Sequence, residues 1–500
     1  MGQLFVTSTS AVKEHGVFAI ERKPPTIINP IGTGTAALAA QFQWGPVQFL
    51  YEVPSMGEAI RTFAPAGSDR TISAYLALTA KGWPDLRLVR VAGGDVLASE
   101  CDLDGYVTVN AKYEGTLGDD LVAVVSDASD GDADHFNLTV TLTGVSGSST
   151  DVIKNLNFSG VGADSVLTEV QKDALTLIGA FVVTLAGRPT NGTYTFSGGS
   201  DGAVVASDYI GTPLGDAPNQ GVALFESDES IDHVCVDDPG DSLRAAVNAG
   251  LKAHADLLMD RICYIAGDSG QTAAEARADR ANYPSKNVFY CDPWIYQLEP
   301  VNGTKVLQPG NAFTASLAAQ TSPSTSIAWK AQEQRAKLGG IVDLEFLRGA
   351  QAALNTEQGV CTFIKEKTGG FTLEAAKVTS YPAEPSTGNL TRTRMGIYIA
   401  KSFKDSMREF VDAPNVEDNQ DSIVGALDSF MNGLKRNRKN DPNHNPHVID
   451  YEIQSIADFN TVDSLQSGQF IVPLKVTTSA GMEQIFLSME FGETVKITSI

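Results

Sequence analysis

Four short stretches hold residue types that could do chemistry. Gly267-Asp268-Ser269-Gly270 is the kind of loop that surrounds a serine nucleophile. Serine hydrolysis also needs a histidine base, an orienting carboxylate and an oxyanion hole. The chain has six histidines, His15, His135, His233, His254, His444 and His447, and none sits in a recognisable triad context. The stretch reads instead as a strand-to-helix loop with glycine at the turn. Gly32-Thr33-Gly34-Thr35-Ala36-Ala37 fits GxGxxA, with Glu52 following at about the spacing of a ribose-binding acid. A dinucleotide site would need a strand before it and a helix after it. Here prolines precede it and the turn Trp44-Gly45-Pro46 follows, so a strand of small residues is expected. Asp441, His444 and His447 could suggest a metal site, but Pro442 and Pro446 deny them helical spacing and make a polar turn. No Walker A, HExxH or EF-hand pattern occurs. We expect no catalytic, cofactor-binding or metal-binding residues and no enzyme; the alternatives kept open are a serine hydrolase using Ser269 and a β-rich surface-binding protein using residues 95–215.

The fourth stretch is basic. Leu427, Phe430, Met431 and Leu434 recur at helical spacing, and Lys435, Arg436, Arg438 and Lys439 follow. Positive charge at a helix C-terminus is favoured by the macrodipole, so a solvated helix end explains it. The sharper reading is a docking helix that meets an acidic protein partner, with a strength that falls as salt rises. Beyond it, Ile485-Phe486-Leu487-Ser488-Met489-Glu490-Phe491 reads as a strand without a neighbouring hairpin partner.

Composition narrows the classes. A chain of 500 residues is too long for one compact core. Its 42% hydrophobic content is that of a globular protein. The net charge of −23 argues against binding nucleic acid or anionic membrane. From Asp95 to Asp216 there are 18 acidic against four basic residues, so this segment is expected to be a solvated outer domain. Five widely spaced cysteines, Cys101, Cys235, Cys263, Cys291 and Cys361, read as buried free thiols of a reducing compartment. No signal peptide opens the chain, and no apolar run approaches the ~20 residues of a membrane helix.

The elements follow in order. Residues 1–30 form an arm with short extended runs at Leu4-Phe5-Val6 and Gly16-Val17-Phe18-Ala19-Ile20-Glu21. Such strands must pair elsewhere, a neighbouring subunit being one solution. Residues 31–94 begin a globular body: a strand over 33–42, helices over 55–63 and 73–81, and a strand over 86–91. Residues 95–215 form a mostly β insertion, a sandwich or small barrel, with a helix near 165–177. Residues 216–385 alternate strand 234–236, helix 241–259 capped by Asp241, strand 261–266, helix 273–281 and strand 288–291. This βαβαβ pattern implies a parallel sheet. Residues 386–500 are α+β, and helices are expected over 347–354 and 402–410.

The order of these landmarks resembles the tail sheath proteins of contractile bacteriophages, which are related to sheaths of other contractile injection systems. The arm Gly16-Val17-Phe18-Ala19-Ile20-Glu21 looks like the family's GVYxxE start, and Gln43-Trp44-Gly45-Pro46 its strand ending in a GP turn. Leu88-Val89-Arg90-Val91 is similar to its xVVRV strand. Residues 113–121, Tyr290-Cys291-Asp292-Pro293-Trp294, Gln308-Pro309-Gly310 and residues 354–364 resemble further segments, with Cys361 where the family has Asn. The W-x-A-P region is only partly kept at 321–331, and residues 130–215 match no family motif.

The resemblance implies a multidomain α/β and α+β protein with a subtilisin-like core lacking protease activity, an inserted β-rich outer domain and exchanged terminal strands. It implies strand exchange through Leu4, Phe5, Val6, Val17, Phe18, Ile20, Ile485, Leu487, Met489 and Phe491, and tube docking through Lys435, Arg436, Arg438 and Lys439. The implied partners are neighbouring sheath subunits in hexameric rings, the tail tube protein, and baseplate and tail terminator proteins. The implied place is the virion tail, assembled in the host bacterial cytoplasm, and no cofactor is implied.

Overall fold

The computed structural model describes residues 5–6, 19–20, 28, 30–65, 85–144, 147–157, 162–163, 174–215, 219–298, 303–328, 340–367, 369–385, 388–435 and 448–478. Among these the chain forms two compact units. One runs from Gly32 to Arg394; the other takes the described residues before Gly32 and those from Met395 to Thr478.

The first unit is built on an eight-stranded sheet. Its strands are β1 (Thr35–Ala40), β2 (Tyr51–Val53), β3 (Asp85–Arg90), β4 (His233–Val236), β5 (Ile262–Ala266), β6 (Val288–Asp292), β7 (Cys361–Lys365) and β8 (Phe371–Leu373). Their spatial order is β8-β7-β6-β5-β4-β1-β3-β2. From β7 through β3 every pairing is parallel, and the two edge strands run antiparallel. Every residue of β1, β4, β5 and β6 is buried, which is why these strands read as unbroken apolar runs and not as alternation. The GxGxxA stretch is therefore a central strand of small residues, as expected.

The crossovers are helical. Ser55 caps α1 (Met56–Phe63) by accepting the Glu58 amide. The helix α2 (Asp241–Leu258) joins β4 to β5, and α3 (Ala273–Arg280) joins β5 to β6. Thr272 and Glu275 form a capping box at the start of α3. Asp241 is not the cap of α2: Gly240, at φ 84°, holds that place, and Asp241 turns back to pair with Arg244 at 2.8 Å. Val247 and Leu251 on α2 pack with Val234, Val236, Cys263 and Ile265 in one core. The five cysteines are buried free thiols, and burial pushes Cys101 up to about 11, which leaves it inert as a nucleophile.

The insertion is a sandwich of two four-stranded sheets. One orders its strands Gly147–Leu156, Phe136–Gly144, Leu121–Asp127 and Gly192–Thr195; the other orders Gly162–Ala163, Ile178–Val183, Val107–Glu114 and Ala98–Leu103. Inward residues alternate strictly, as in Phe136, Leu138, Val140 and Leu142. Residues 164–173, which hold most of the helix expected near 165–177, lie outside the described residues. Two body residues lock the insertion in place. Trp44 is fully buried in its core and donates its indole N–H to the Thr176 carbonyl at 3.2 Å. Arg90 is 1% exposed and donates to the carbonyls of Phe42 and Gly45 at 2.7 and 2.8 Å, which fixes the turn that aims Trp44.

Two helices differ from the sequence expectation. The expected 347–354 helix forms instead as α5 (Gln351–Glu357). Arg348 is drawn out of the pattern by a bidentate pair with Asp292 at 2.6 and 2.7 Å, and Gly349 turns the chain at φ 52°. The expected 402–410 helix begins earlier, as α6 (Leu390–Ser406), and ends in a 3₁₀ turn at Met407–Phe410. Its buried face includes Thr391, Arg394, Lys401 and Ser402, so hydrophobic periodicity does not reveal it. The helix expected over 73–81 lies outside the described residues.

His254 on α2 supplies a pH prediction. It is 1% exposed, and burial pushes its pKa down to about 4, with Arg261 adding to the effect and Asp260 opposing it. The Glu226 carboxylate lies 3.6 Å from Nδ1, too long for a hydrogen bond. An unfolded histidine titrates near 6.5, so the unfolded chain binds a proton that the folded chain refuses. Stability from this group is complete above pH 6.5 and is lost as pH falls through 4, by about 3 kcal/mol. His254→Phe should flatten the pH dependence of the urea midpoint between pH 7 and 4.5; an unchanged slope would exclude His254 as its source.

Candidate assembly surfaces

The second unit is small and helical on one side. The helix α7 (Glu417–Lys435) buries Ala426, Leu427, Met431 and Leu434 against Met395 and Ile399 of α6, with Ile28 and Val448 completing the core. Leu427, Met431 and Leu434 recur at i, i+4 and i+7, and Glu417 and Asp418 occupy the favourable first turn. The other face of α7 shows Asp418, Asp421, Ser422, Gly425, Asp428, Ser429 and Asn432 to solvent.

Against these helices lies an antiparallel pair of strands, Val448–Ile453 and Leu474–Thr478. Tyr451, Ile453, Leu474 and Val476 face the helices, while Glu452 and Lys475 point away. Two strands alone are marginal in water; packing on α6 and α7 holds this pair. Among the described residues neither outer edge carries a third strand. Each edge therefore presents a row of backbone donors and acceptors to a further chain segment.

The basic helix end is partly accounted for. Lys435 donates to Asp450 at 2.6 Å on the adjacent strand and lies over the Tyr451 ring at 5.8 Å. That lysine holds the Asp450 carboxyl below its ordinary range. Tyr451 in turn donates to Asp428 at 2.9 Å, so the last two turns of α7 are tied to the strand pair. Arg436, Arg438 and Lys439 lie outside the described residues.

The arm strands Phe5–Val6 and Ala19–Ile20 pair with each other in parallel, Phe5 opposite Ala19 and Val6 opposite Ile20. The sequence expectation gave each a partner elsewhere; among the described residues each has the other, over two residues. Leu4, Val17 and Phe18, and at the other end Ile485, Leu487, Met489 and Phe491, lie outside the described residues.

The remaining candidates for chemistry are answered by geometry. Ser269 donates to the Glu345 carboxylate at 2.5 Å, and the Gly270 amide donates to the same oxygen at 2.8 Å. What orients this serine is an acceptor-only carboxylate in a surface loop. The described histidines lie elsewhere: His135 pairs with Asp130, His233 with Tyr264, and His254 is buried 3.6 Å from Glu226. Asp441, His444 and His447 lie outside the described residues, as does His15. The strand pair was missed by sequence reasoning, although Asp450-Tyr451-Glu452-Ile453 and Leu474-Lys475-Val476-Thr477 carry the period of two that announces it.

Comparison with known proteins agrees with the sequence resemblance. Residues 202–379 match the family model of the phage tail sheath protein central domain. No curated protein matches the chain by sequence. The fold is similar to the crystal structure of the sheath tail protein from Desulfitobacterium hafniense, with a TM-score of 0.62 and 16% identity over 88% of this chain and 93% of that one. The sheath tail protein from Listeria innocua gives 0.59 and 16%, over 89% and 95%. The helical sheath of the anti-feeding prophage in its contracted state gives 0.56 and 12%, over 97% and 99%. The multidomain α/β architecture of several sheets and helices is thus that of a sheath protein, and the recognition made from sequence holds.

Proposed function

We propose that this chain, whose residues 202–379 match the phage tail sheath central domain, is the structural subunit of a contractile sheath of a phage-like particle. Subunits polymerise as stacked six-fold rings around a tail tube, bounded by baseplate and terminator proteins. Contraction relaxes an extended lattice to a shorter, wider one and drives the tube through the host envelope. The particle is assembled in the bacterial cytoplasm and carries the sheath as part of its tail. No cofactor and no catalytic step are required, because the energy is stored when the lattice forms; the α/β unit is a subtilisin-like scaffold without protease work.

The observation that carries this reading is the strand pair 448–453 and 474–478, open on both edges among the described residues. Chains with extended segments at both ends and one two-edged receptor sheet can link into a mesh. Each link keeps its hydrogen bonds while rigid bodies rotate past one another. Negative-stain electron microscopy of the full chain should show long hollow tubes. Discrete monomers at every concentration, with or without the tube protein, would defeat the proposal.

Tube docking is assigned to the end of α7. Arg436→Glu with Arg438→Glu should weaken co-sedimentation with the tube protein about tenfold at low salt. Tube-free sheath assembly should be unaffected. Equal tube binding by the double variant would remove these residues from the role.

A further inference from the structure

The connection between the two strands of the second unit is tied at several points. It leaves Ile453, forms the short helix Val462–Gln466 and returns at Leu474, and Gln454 donates to the Pro473 carbonyl at 3.0 Å to close its neck. Asn460 clamps it across the middle. Its amide nitrogen donates to the Ile471 carbonyl at 2.7 Å, and its oxygen accepts the Ile471 amide at 2.8 Å. Asn415, in the turn between α6 and α7, donates to the Leu465 carbonyl at 3.0 Å and holds that turn against the connection. The segments so joined show Val411, Val416, Phe459, Val462 and Ile471 to solvent. Val411 and Val462 are each 69% exposed, and none of the five belongs to the core of this unit.

Five such side chains expose roughly 400 Å², the size at which an apolar patch marks a contact. That is half of the ~800 Å² that a standard interface takes from each partner. The connection is continuous with both open strand edges through Ile453 and Leu474, so a segment that pairs with an edge has the patch beside it. Charge decides which segment fits. Residues 411–418 and 456–471 carry Asp412, Glu417, Asp418, Asp458 and Asp463, all exposed, and no lysine or arginine. An apolar centre within an acidic rim takes an apolar segment that brings cations. Residues 480–500 hold three carboxylates and one lysine, and the rim repels them. Residues 1–31 hold Lys13, Arg22 and Lys23 against Glu14 and Glu21, and Val17-Phe18-Ala19-Ile20 stands close before Arg22-Lys23. In a chain of net charge −23, the N-terminal arm is thus the terminal segment with a positive balance. Extended chain spans about 3.3 Å per residue, so the arm is long enough both to pair with an edge and to cross the patch.

We propose that this patch receives the N-terminal arm of a second copy of the chain, apolar arm residues covering Val411, Phe459 and Val462 while Arg22 and Lys23 meet the acidic rim. The proposal rests on the sheath reading. To backbone pairing at the strand edges it adds a side-chain site that accepts one terminus and refuses the other. The contact is heterologous, arm of one copy on patch of the next. It therefore repeats in one direction, as stacked rings require, and closes no two-fold pair. Salt screens the cations from the rim, so added salt weakens the contact.

Cross-linking between two kinds of full-length chain reads the contact. All five native cysteines are buried, so Val462→Cys in one chain and Glu21→Cys in the other each add one accessible thiol. One kind is isotope-labelled, so that mass spectrometry separates mixed pairs from like pairs. A short bis-maleimide should form Val462→Cys with Glu21→Cys pairs about tenfold faster than Glu100→Cys with Glu21→Cys pairs, and more slowly in high salt. Ser488→Cys at the other terminus should link to Val462→Cys only at the Glu100→Cys level. Adding Val411→Asp to Val462→Cys should bring mixed linkage down to that level with an unchanged thermal midpoint; Val416→Asp serves if Val411→Asp lowers the midpoint. Mixed pairs no faster than the Glu100→Cys control, Ser488→Cys linking as fast as Glu21→Cys, or rates untouched by the added carboxylate would overturn the site. A chain carrying both cysteines that links only within itself would show its own arm on the patch and overturn the second copy. Tubes without mixed linkage would sink this site and leave the sheath reading intact; mixed linkage without tubes would do the opposite.

Discussion

A chain lacking residues 1–21 is expected to remain folded and to lose the ability to form tubes. The cut removes Phe5–Val6 and Ala19–Ile20, which among the described residues pair with each other. It spares Ile28, which is 3% exposed in the core beside Met395 and Met431. The subunit's own stability should therefore change little. In the proposed lattice the cut removes one strand per link. A strand that adds to an open edge brings several backbone hydrogen bonds of about 1 kcal/mol each. A loss of about 4 kcal/mol per contact raises the critical concentration for assembly about a thousandfold. Sedimentation of both chains over a concentration series measures it. Truncated chains that pellet at the same concentration as the full chain would place the connecting strands elsewhere. Loss of folding, read as a lower thermal midpoint, would mean that the arm is part of the subunit core.

Arg394→Ala is expected to destabilise the first unit by ~3–5 kcal/mol. Arg394 is 4% exposed. It donates to the carbonyls of Ala318 at 2.7 Å, Ser322 at 3.3 Å and Thr325 at 3.4 Å, and also to that of Thr321. Ala318 belongs to the last turn of the helix α4 (Asn311–Ala319), whose final carbonyls have no helical partner. One guanidinium thus closes a helix end and the loop after it, at the negative end of the helix dipole. Burial lowers its pKa from the ordinary arginine value, opposed by Tyr264 and Asp232, so the site pays for the charge with hydrogen bonds. Truncation leaves buried carbonyls unpaired. Arg394→Lys keeps the charge but cannot fork across several acceptors, and should cost about half as much. Urea unfolding followed by tryptophan fluorescence measures both. A midpoint shift equivalent to under ~0.5 kcal/mol for the alanine variant would show that water replaces the guanidinium.

The sequence by itself determined the elements whose rules are local. Buried runs such as Val234-Cys235-Val236 and Ile262-Cys263-Tyr264-Ile265 could only be strands covered on both faces, and the helices between them gave a parallel sheet. Alternation over 136–142 announced a two-faced sheet, leaving sandwich or barrel open, and the helix expected over 55–63 begins at its Ser55 cap. The order of motifs along the chain was enough to point to the tail sheath family, whose central-domain model matches residues 202–379.

Only the tertiary structure decided what those elements meet. Periodicity states which face of a segment is buried and says nothing of what lies opposite. Arg394 reads in sequence as one more cation on a helix, and it becomes structural because four carbonyls about seventy residues earlier converge on it. Arg90 and Trp44 read as motif letters until the fold brings the Phe42 and Gly45 carbonyls to the one and the insertion core to the other. Asp151 reads as surface acid in an acidic segment; it is 6% exposed because the amides of Thr176, Leu177 and Ile178 all donate to it. That the edges at 448–453 and 474–478 carry no third strand among the described residues is likewise a matter of tertiary placement, which no local rule encodes. Local free energies choose strand or helix; long-range desolvation and hydrogen-bond satisfaction choose partners.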